Sequence, residues 1–182
     1  MRTEDTDPAD WRPNEPAFWQ YTAEHLRHVA DLARRSYDAL HRDTPAPDPS
    51  TALVGGKLAE SYAYLIALAL EYLAIGVLMT RDPKHFRPKA PTHRILALLT
   101  ACGIEPTPRQ VEVLRRIEPA LQWSGHATLG IAPDAVTSDA LAQTVPQPSA
   151  LAPTEVQSLE GLYDQLHGLL EPSRARREDA GR

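Results

Sequence analysis

Residues 62–79 read YAYLIALALEYLAIGVLM, eighteen positions with one charge, Glu71. That is long enough for a membrane span to be weighed. Glu71 falls near the middle, where an ionised carboxylate is expensive in lipid. The tyrosines at 62, 64 and 72 are spread along the segment instead of gathering at its ends. The central helix of a helical bundle is apolar nearly all round and reads the same way. The segment is therefore expected to be a buried core helix, and the chain is not expected to enter a membrane.

Proline marks the limits of the helices on either side. The seventeen prolines fall mostly in clusters. Because proline fits a first helical turn and disrupts an interior, the long gaps between clusters are the helices. A first helix is expected over 16–41, with Phe18, Thr22, Leu26, Val29, Ala33, Tyr37 and Leu40 as its apolar stripe, widened by Trp19. The second runs from Ser50 or Thr51, either serving as the cap, to about Thr80. Gly55 and Gly56 mark either a kink or a close helix–helix contact.

A short third helix covers 92–102. Gly103 takes the left-handed position after it, and Ile104 the apolar position that follows. Thr107, Pro108 and Gln110 form a helix start with a capping box. The fourth helix carries Val111, Leu114, Ile117 and Leu121, and Pro119 is expected to kink or end it. A second capping box beginning at Thr154 opens the last helix, whose stripe is Leu159, Leu162, Tyr163, Leu166, Leu169 and Leu170. A short helix over 134–142 is also expected.

The fold class that follows is all-α, a bundle of about five helices around one long apolar helix. It forms a single domain over 16–171, between an acidic disordered stretch at 1–15 and a charged disordered tail at 172–182. The 182 residues suffice for one core. Residues 1–15 lack the basic start and apolar run of a secretory signal, and Cys102 is the single cysteine, so a cytoplasmic location is expected. Cys102 is expected to be a small buried side chain near a helix end.

Few residues point to chemistry. Glu24, His28 and Asp31 share a helical face, with His25 adjacent. Such residues can bind zinc only if another helix completes the shell. A solvated polar face is the preferred reading, so neither metal nor cofactor is expected. No phosphate-binding glycine loop or nucleophile elbow is present.

The net charge of −5 excludes a general nucleic-acid coat protein. Even so, residues 81–94, RDPKHFRPKAPTHR, concentrate Arg81, Lys84, Arg87, Lys89 and Arg94 against the single acid Asp82, with His85 and His93 interleaved. Phe86 adds a stacking surface. This is a local basic patch suited to phosphates. Its bland counterpart is a connector kept soluble by its charges.

Three short segments resemble the HEPN family of helical domains, which is linked to nucleotide binding. Ala69-Leu70-Glu71-Tyr72-Leu73 is similar to the family's Ala-Leu-Glu-x-x-Leu on a central helix. Thr92-His93-Arg94-Ile95-Leu96-Ala97-Leu98-Leu99 is similar to its Thr-His-Asp-Leu-x-x-Leu-Leu, followed by a Gly-Ile pair. Gln122-Trp123-Ser124-Gly125 resembles the Trp-x-Gly that precedes Arg-Tyr-Pro in one bacterial branch. The match spans about 52–130. The family's usual lysine is Ala74 here, and its Arg-Tyr-Pro is His126-Ala127-Thr128.

The resemblance implies a homodimer that contacts RNA or nucleotides in a bacterial defence or toxin–antitoxin setting. Many members are metal-independent endoribonucleases that use an Arg and a His four to six residues apart. That spacing occurs here at Arg34 and Arg35 to His41 and at Arg87 to His93, but about two such matches arise by chance and neither lies in the motif's place. Arg116 and His126 lie in the right region with nine residues between them, so they are the catalytic pair if one exists, with His126 as general acid or base. The binding residues would be Arg81, Lys84, Arg87, Lys89, His93 and Arg94. Glu71 is expected to be structural, paired with Arg94, His93 or Arg116. The alternative function is a non-enzymatic adaptor that binds a partner protein; a metal-binding bundle using His25, His28 and Asp31 is a third.

Overall fold

In the computed structural model, residues 15–43, 48–86, 92–128 and 151–170 are described. Five helices account for nearly all of them: α1 Pro16–Asp43, α2 Pro49–Arg81, α3 Ile95–Ala101, α4 Pro108–Thr128 and α5 Pro153–Gly168. The protein is an all-α bundle. The expected 134–142 helix and, apart from Glu15, the two expected disordered ends lie outside the described residues.

α2 is the axis. It is long and apolar enough to cross a membrane, yet most of its apolar window is covered by the other helices. Tyr62, Ile66, Leu70, Leu73, Ile75 and Val77 are buried along it, on faces that point to different neighbours. Each fully buried Leu or Ile contributes about 1.5–3 kcal/mol. α3 and α4 add Ile95, Leu99, Leu114, Ile117 and Leu121 to the same core, and α5 adds Leu159, Leu162 and Leu166. The α5 stripe matches its expectation except Leu169, which is only partly buried.

α1 departs from its expected phase. The buried line is Trp19, Ala23 and Ala30, with Leu26 and Ala33 packed beside it, while Val29 is 47% exposed. The reason is close packing. α1 lies along α2 through small side chains, and Ala23 and Ala30 let the two backbones approach where a larger residue would hold them apart. Glycine does the same from the α2 side. A Cβ on Gly76 would stand 3.0 Å from Gln20 Cγ, and one on Gly55 would stand 2.7 Å from His41 Cε1. α2 runs on through Gly55 and Gly56, so Gly55 is the close-contact alternative.

Several helix ends also differ from expectation. Asp48, not Ser50 or Thr51, caps α2: its Oδ1 accepts the Ser50 and Thr51 N–H groups at 2.8 and 3.0 Å. Pro49 then occupies the first helical position, where no N–H is needed. α4 continues past Pro119 to Thr128. Pro119 sits on the exposed side, where water can satisfy the carbonyl it leaves without a partner.

The start of α5 is at Ala152, whose N–H goes to Glu155 Oε2 at 2.8 Å. Ala152 has no side chain with which to reciprocate, and Thr154 is engaged instead by the Arg109 guanidinium. At α4 the box is complete, Thr107 N–H to Gln110 Oε1 at 2.8 Å and Gln110 N–H to Thr107 Oγ1 at 3.3 Å. Gly103 has φ 77°, and Ile104 N–H reaches back to Leu99 O at 2.9 Å, the expected left-handed termination of α3.

Candidate functional site

The basic segment connects α2 to α3, and the bundle holds it at both ends. At its start, Arg81 Nη1 donates to Cys102 O at 2.6 Å, which ties the last turn of α2 to the end of α3. Cys102 is itself buried, and its Sγ–H lies 3.5 Å from Ala74 O. Burial pushes this thiol up to about 11, against a smaller opposing pull from Arg81.

Asp82 organises the turn that follows. Its Oδ1 accepts the His85 N–H at 3.2 Å and lies 2.8 Å from His85 Nδ1. The His85 side chain, followed by lesser contacts, lowers the Asp82 carboxyl below the usual carboxylate range. The loop's one acid is thus spent on its own geometry. Lys84 is exposed, and Phe86 packs partly against the core.

Glu71 fixes the far end of the segment. It is 0% exposed, and its Oε1 accepts the backbone N–H groups of both Thr92 and His93 at 2.6 Å. Its Oε2 lies 3.0 Å from His93 Nδ1. His93 has φ 54°, the one non-glycine among the described residues in the left-handed region. The ring is 18% exposed.

Of the three candidate partners for Glu71, the structure therefore brings in His93. Arg94 is exposed instead, and Arg116 is engaged elsewhere. α3 begins at Ile95, three residues later than the sequence suggests, because the Thr92 and His93 amides belong to Glu71. The helix start is closed from another direction. Glu118 on α4 accepts the Leu96 N–H at 2.9 Å. No local pattern around Glu118 signals this, since the contact exists only once α3 and α4 are packed.

Arg116 faces α5. Its Nη2 lies 2.7 Å from Glu155 Oε1. Burial on its own would raise the Glu155 carboxyl, but the Ala152 N–H, Arg116 and Arg109 outweigh it and hold Glu155 below its ordinary value. His126 is on the last turns of α4, and its side chain is outside the described residues. The ten-residue step from Arg116 is about 15 Å of helix rise, so the two Cα atoms are far apart within one chain. Arg87 and Lys89 also lie outside the described residues.

Among the described residues no His, Cys, Asp and Glu group is arranged to hold a metal ion. Asp31 is paired with Arg27 at 3.3 Å, and the His25 ring meets Tyr21 O at 3.0 Å. The described site is a cationic loop, with Arg81 and Lys84 on one side and Arg94 on the other, positioned by a buried carboxylate. Its charges attract phosphate. No protein-family model, curated protein or solved structure matches this chain.

Proposed function

We propose that the chain is an HEPN-like helical module that contacts RNA or nucleotide phosphates through the 81–94 loop, as a homodimer in the cytoplasm of a bacterium, within a defence or toxin–antitoxin system. One observation carries this reading. The two segments most like that family, around Glu71 and around Thr92-His93, meet through three short contacts. The contacts hold the end of the basic loop with Arg94 turned to solvent. Fixing the turn beside Arg94 lowers the conformational entropy lost there on binding, and the charge of Arg94 favours an anionic ligand.

The loop supports binding, and a cleaving version would rest on the homodimer. Arg116 is committed to Glu155, and helix rise separates it from His126, so a catalytic pair would require one residue from each of two copies. Labelled single-stranded RNA, titrated at several salt concentrations, tests the binding role. Replacing Lys84 and Arg94 by alanine should weaken affinity and reduce the salt slope by about 1.4, roughly 0.7 per lost phosphate contact. An unchanged affinity and slope would reduce the loop to a connector. Incubation with RNA and chelator, beside His126→Ala, tests cleavage; metal-independent cleavage that the variant loses would restore the endoribonuclease.

A second reading is the adaptor. Val29, Leu32, Leu53 and Val54 are exposed apolar side chains on α1 and α2, which suit a protein partner better than an anion.

A further inference from the structure

The register of α1 on α2 decides what stands at the entrance of the basic loop. Gln20 packs on Gly76 near one end of the pair and His41 on Gly55 near the other, so the two helices run antiparallel. Gln20 Nε2 also reaches Thr80 Oγ1 at 3.3 Å. Pro16, one turn before Gln20, is therefore level with Thr80, and Glu15 with Arg81, where α2 gives way to the loop. The chain thus enters α1 beside the start of the loop. The sequence leading there is acidic. Residues 4–10, EDTDPAD, carry Glu4, Asp5, Asp7 and Asp10 and no base; they lie outside the described residues.

We propose that this acidic stretch is the loop's own occupant: its carboxylates pair with Lys84, beside Arg81, and a phosphate ligand has to displace them. Reach allows it. An extended chain covers about 3.3–3.6 Å per residue, so Asp10 and Asp7 extend about 20 and 30 Å from Pro16. Lys84 follows Arg81 by three residues and is within about 11 Å of it. Packed helix axes are about 8–10 Å apart. Both aspartates span that gap.

Charge favours the same pairing. Lys84 is exposed, and the loop's one acid, Asp82, is taken up by the His85 N–H and ring at 3.2 and 2.8 Å. Several other cations already have carboxylate partners: Arg27 and Arg34 share Glu160, Arg116 meets Glu155, and Lys57 meets Glu60. A tethered partner acts at an effective concentration of about millimolar, which lets weak exposed ion pairs hold. The contact requires only the loop's charge; its effect on RNA rests on the binding role proposed above.

The experiment treats the full chain, without RNA, with a carbodiimide that joins carboxylate to amine with no spacer. At about 50 mM salt, Asp7 or Asp10 should cross-link to Lys84 at least about fivefold more than to Lys57, which lies about 36 Å back along α2 from Arg81. Salt at about 0.5 M should remove most of that yield. Asp5→Asn, Asp7→Asn and Asp10→Asn together should bind single-stranded RNA about fivefold more tightly at the lower salt, the equivalent of two exposed ion pairs. Asp38→Asn, Glu112→Gln and Asp164→Asn, at exposed positions elsewhere, change the net charge equally and should gain less than about twofold. A yield at Lys84 no higher than at Lys57, or independent of salt, would overturn the proposal, as would equal gains from the two triple variants. If no chain binds RNA, the loop's binding role fails, and the cross-links still decide the contact.

Discussion

Removing the Glu71 carboxylate should destabilise the protein and release the end of the basic loop. In Glu71→Ala, the Thr92 and His93 N–H groups each lose an ionised acceptor at 2.6 Å, and His93 Nδ1 loses its contact at 3.0 Å. Hydrogen bonds to a charged group contribute about 1.5–3 kcal/mol each, so the two amides alone give about 3–6 kcal/mol. Part of this is recovered, because a buried carboxylate no longer needs desolvating and water reaches Thr92; about 3 kcal/mol remains. Glu71→Gln keeps an oxygen able to accept from both amides and should cost only about 1 kcal/mol. In urea, with a slope of about 2 kcal/mol/M, Glu71→Ala should lower the midpoint by about 1.5 M with the slope unchanged. Amide hydrogen exchange at Thr92 and His93 should accelerate in the same variant. A midpoint within about 0.25 M of the parent would refute the reasoning. So would glutamine proving as damaging as alanine, since the acceptor geometry would then not be what holds the loop.

Glycine substitutions test the helix packing in opposite directions. Gly56→Ala meets nothing within 4 Å and should stabilise by about 1 kcal/mol through helix propensity, while Gly76→Ala meets Gln20 Cγ at 3.0 Å and backbone atoms at 3.5 Å and should gain less or lose, as thermal melts would read. The Cys102 thiol, raised to about 11 by burial, should react with a disulfide reagent at pH 8 more than about a hundredfold slower in the folded chain than in urea. Glu155 is held below its ordinary 4.5, so its contribution is fully present above about pH 4.5 and is lost as pH falls through the folded value. Arg116→Ala removes one cause of that depression, so the stability gap between parent and variant should narrow from pH 7 to pH 3.5; a constant gap would show that the ion pair contributes nothing.

What was legible in the sequence was whatever depends on neighbours close along the chain. The apolar run at 62–79, the helices in the gaps between proline clusters, the α4 capping box and the left-handed Gly103 all follow from local sequence, and each appears in the fold. The phase of α1 was not legible, because Val29 and Ala30 both fit an apolar stripe and only the closeness of α2 makes alanine the inward residue. The α2 cap shifted to Asp48 because an aspartate before proline competes with the serine and threonine that follow it. At the site, Glu71 and His93 were both singled out, but the choice among three partners needed the third dimension. Glu118 was invisible to pattern, since its role is defined by a contact between helices distant in sequence.

The placement of a carboxylate at 71 is better explained by conformation than by stability. A leucine there would fill the same core position and avoid the desolvation of a buried charge, and such replacements are often neutral or stabilising. No apolar side chain can accept the Thr92 and His93 amides, however. Those amides sit where the chain leaves the basic loop and enters α3, with His93 at φ 54°. A non-glycine residue in that region costs on the order of 1 kcal/mol and persists only where its surroundings dictate it. Glu71 dictates it three times over, from both amides and the ring. The outcome is a turn that cannot relax into an earlier start for α3, which leaves Arg94 outside the helix and exposed. An apolar core at this position would lengthen α3 and draw Arg94 into its first turn. The buried carboxylate thus sets where the loop's last cation stands, so the Glu71 variants also test the proposed binding role.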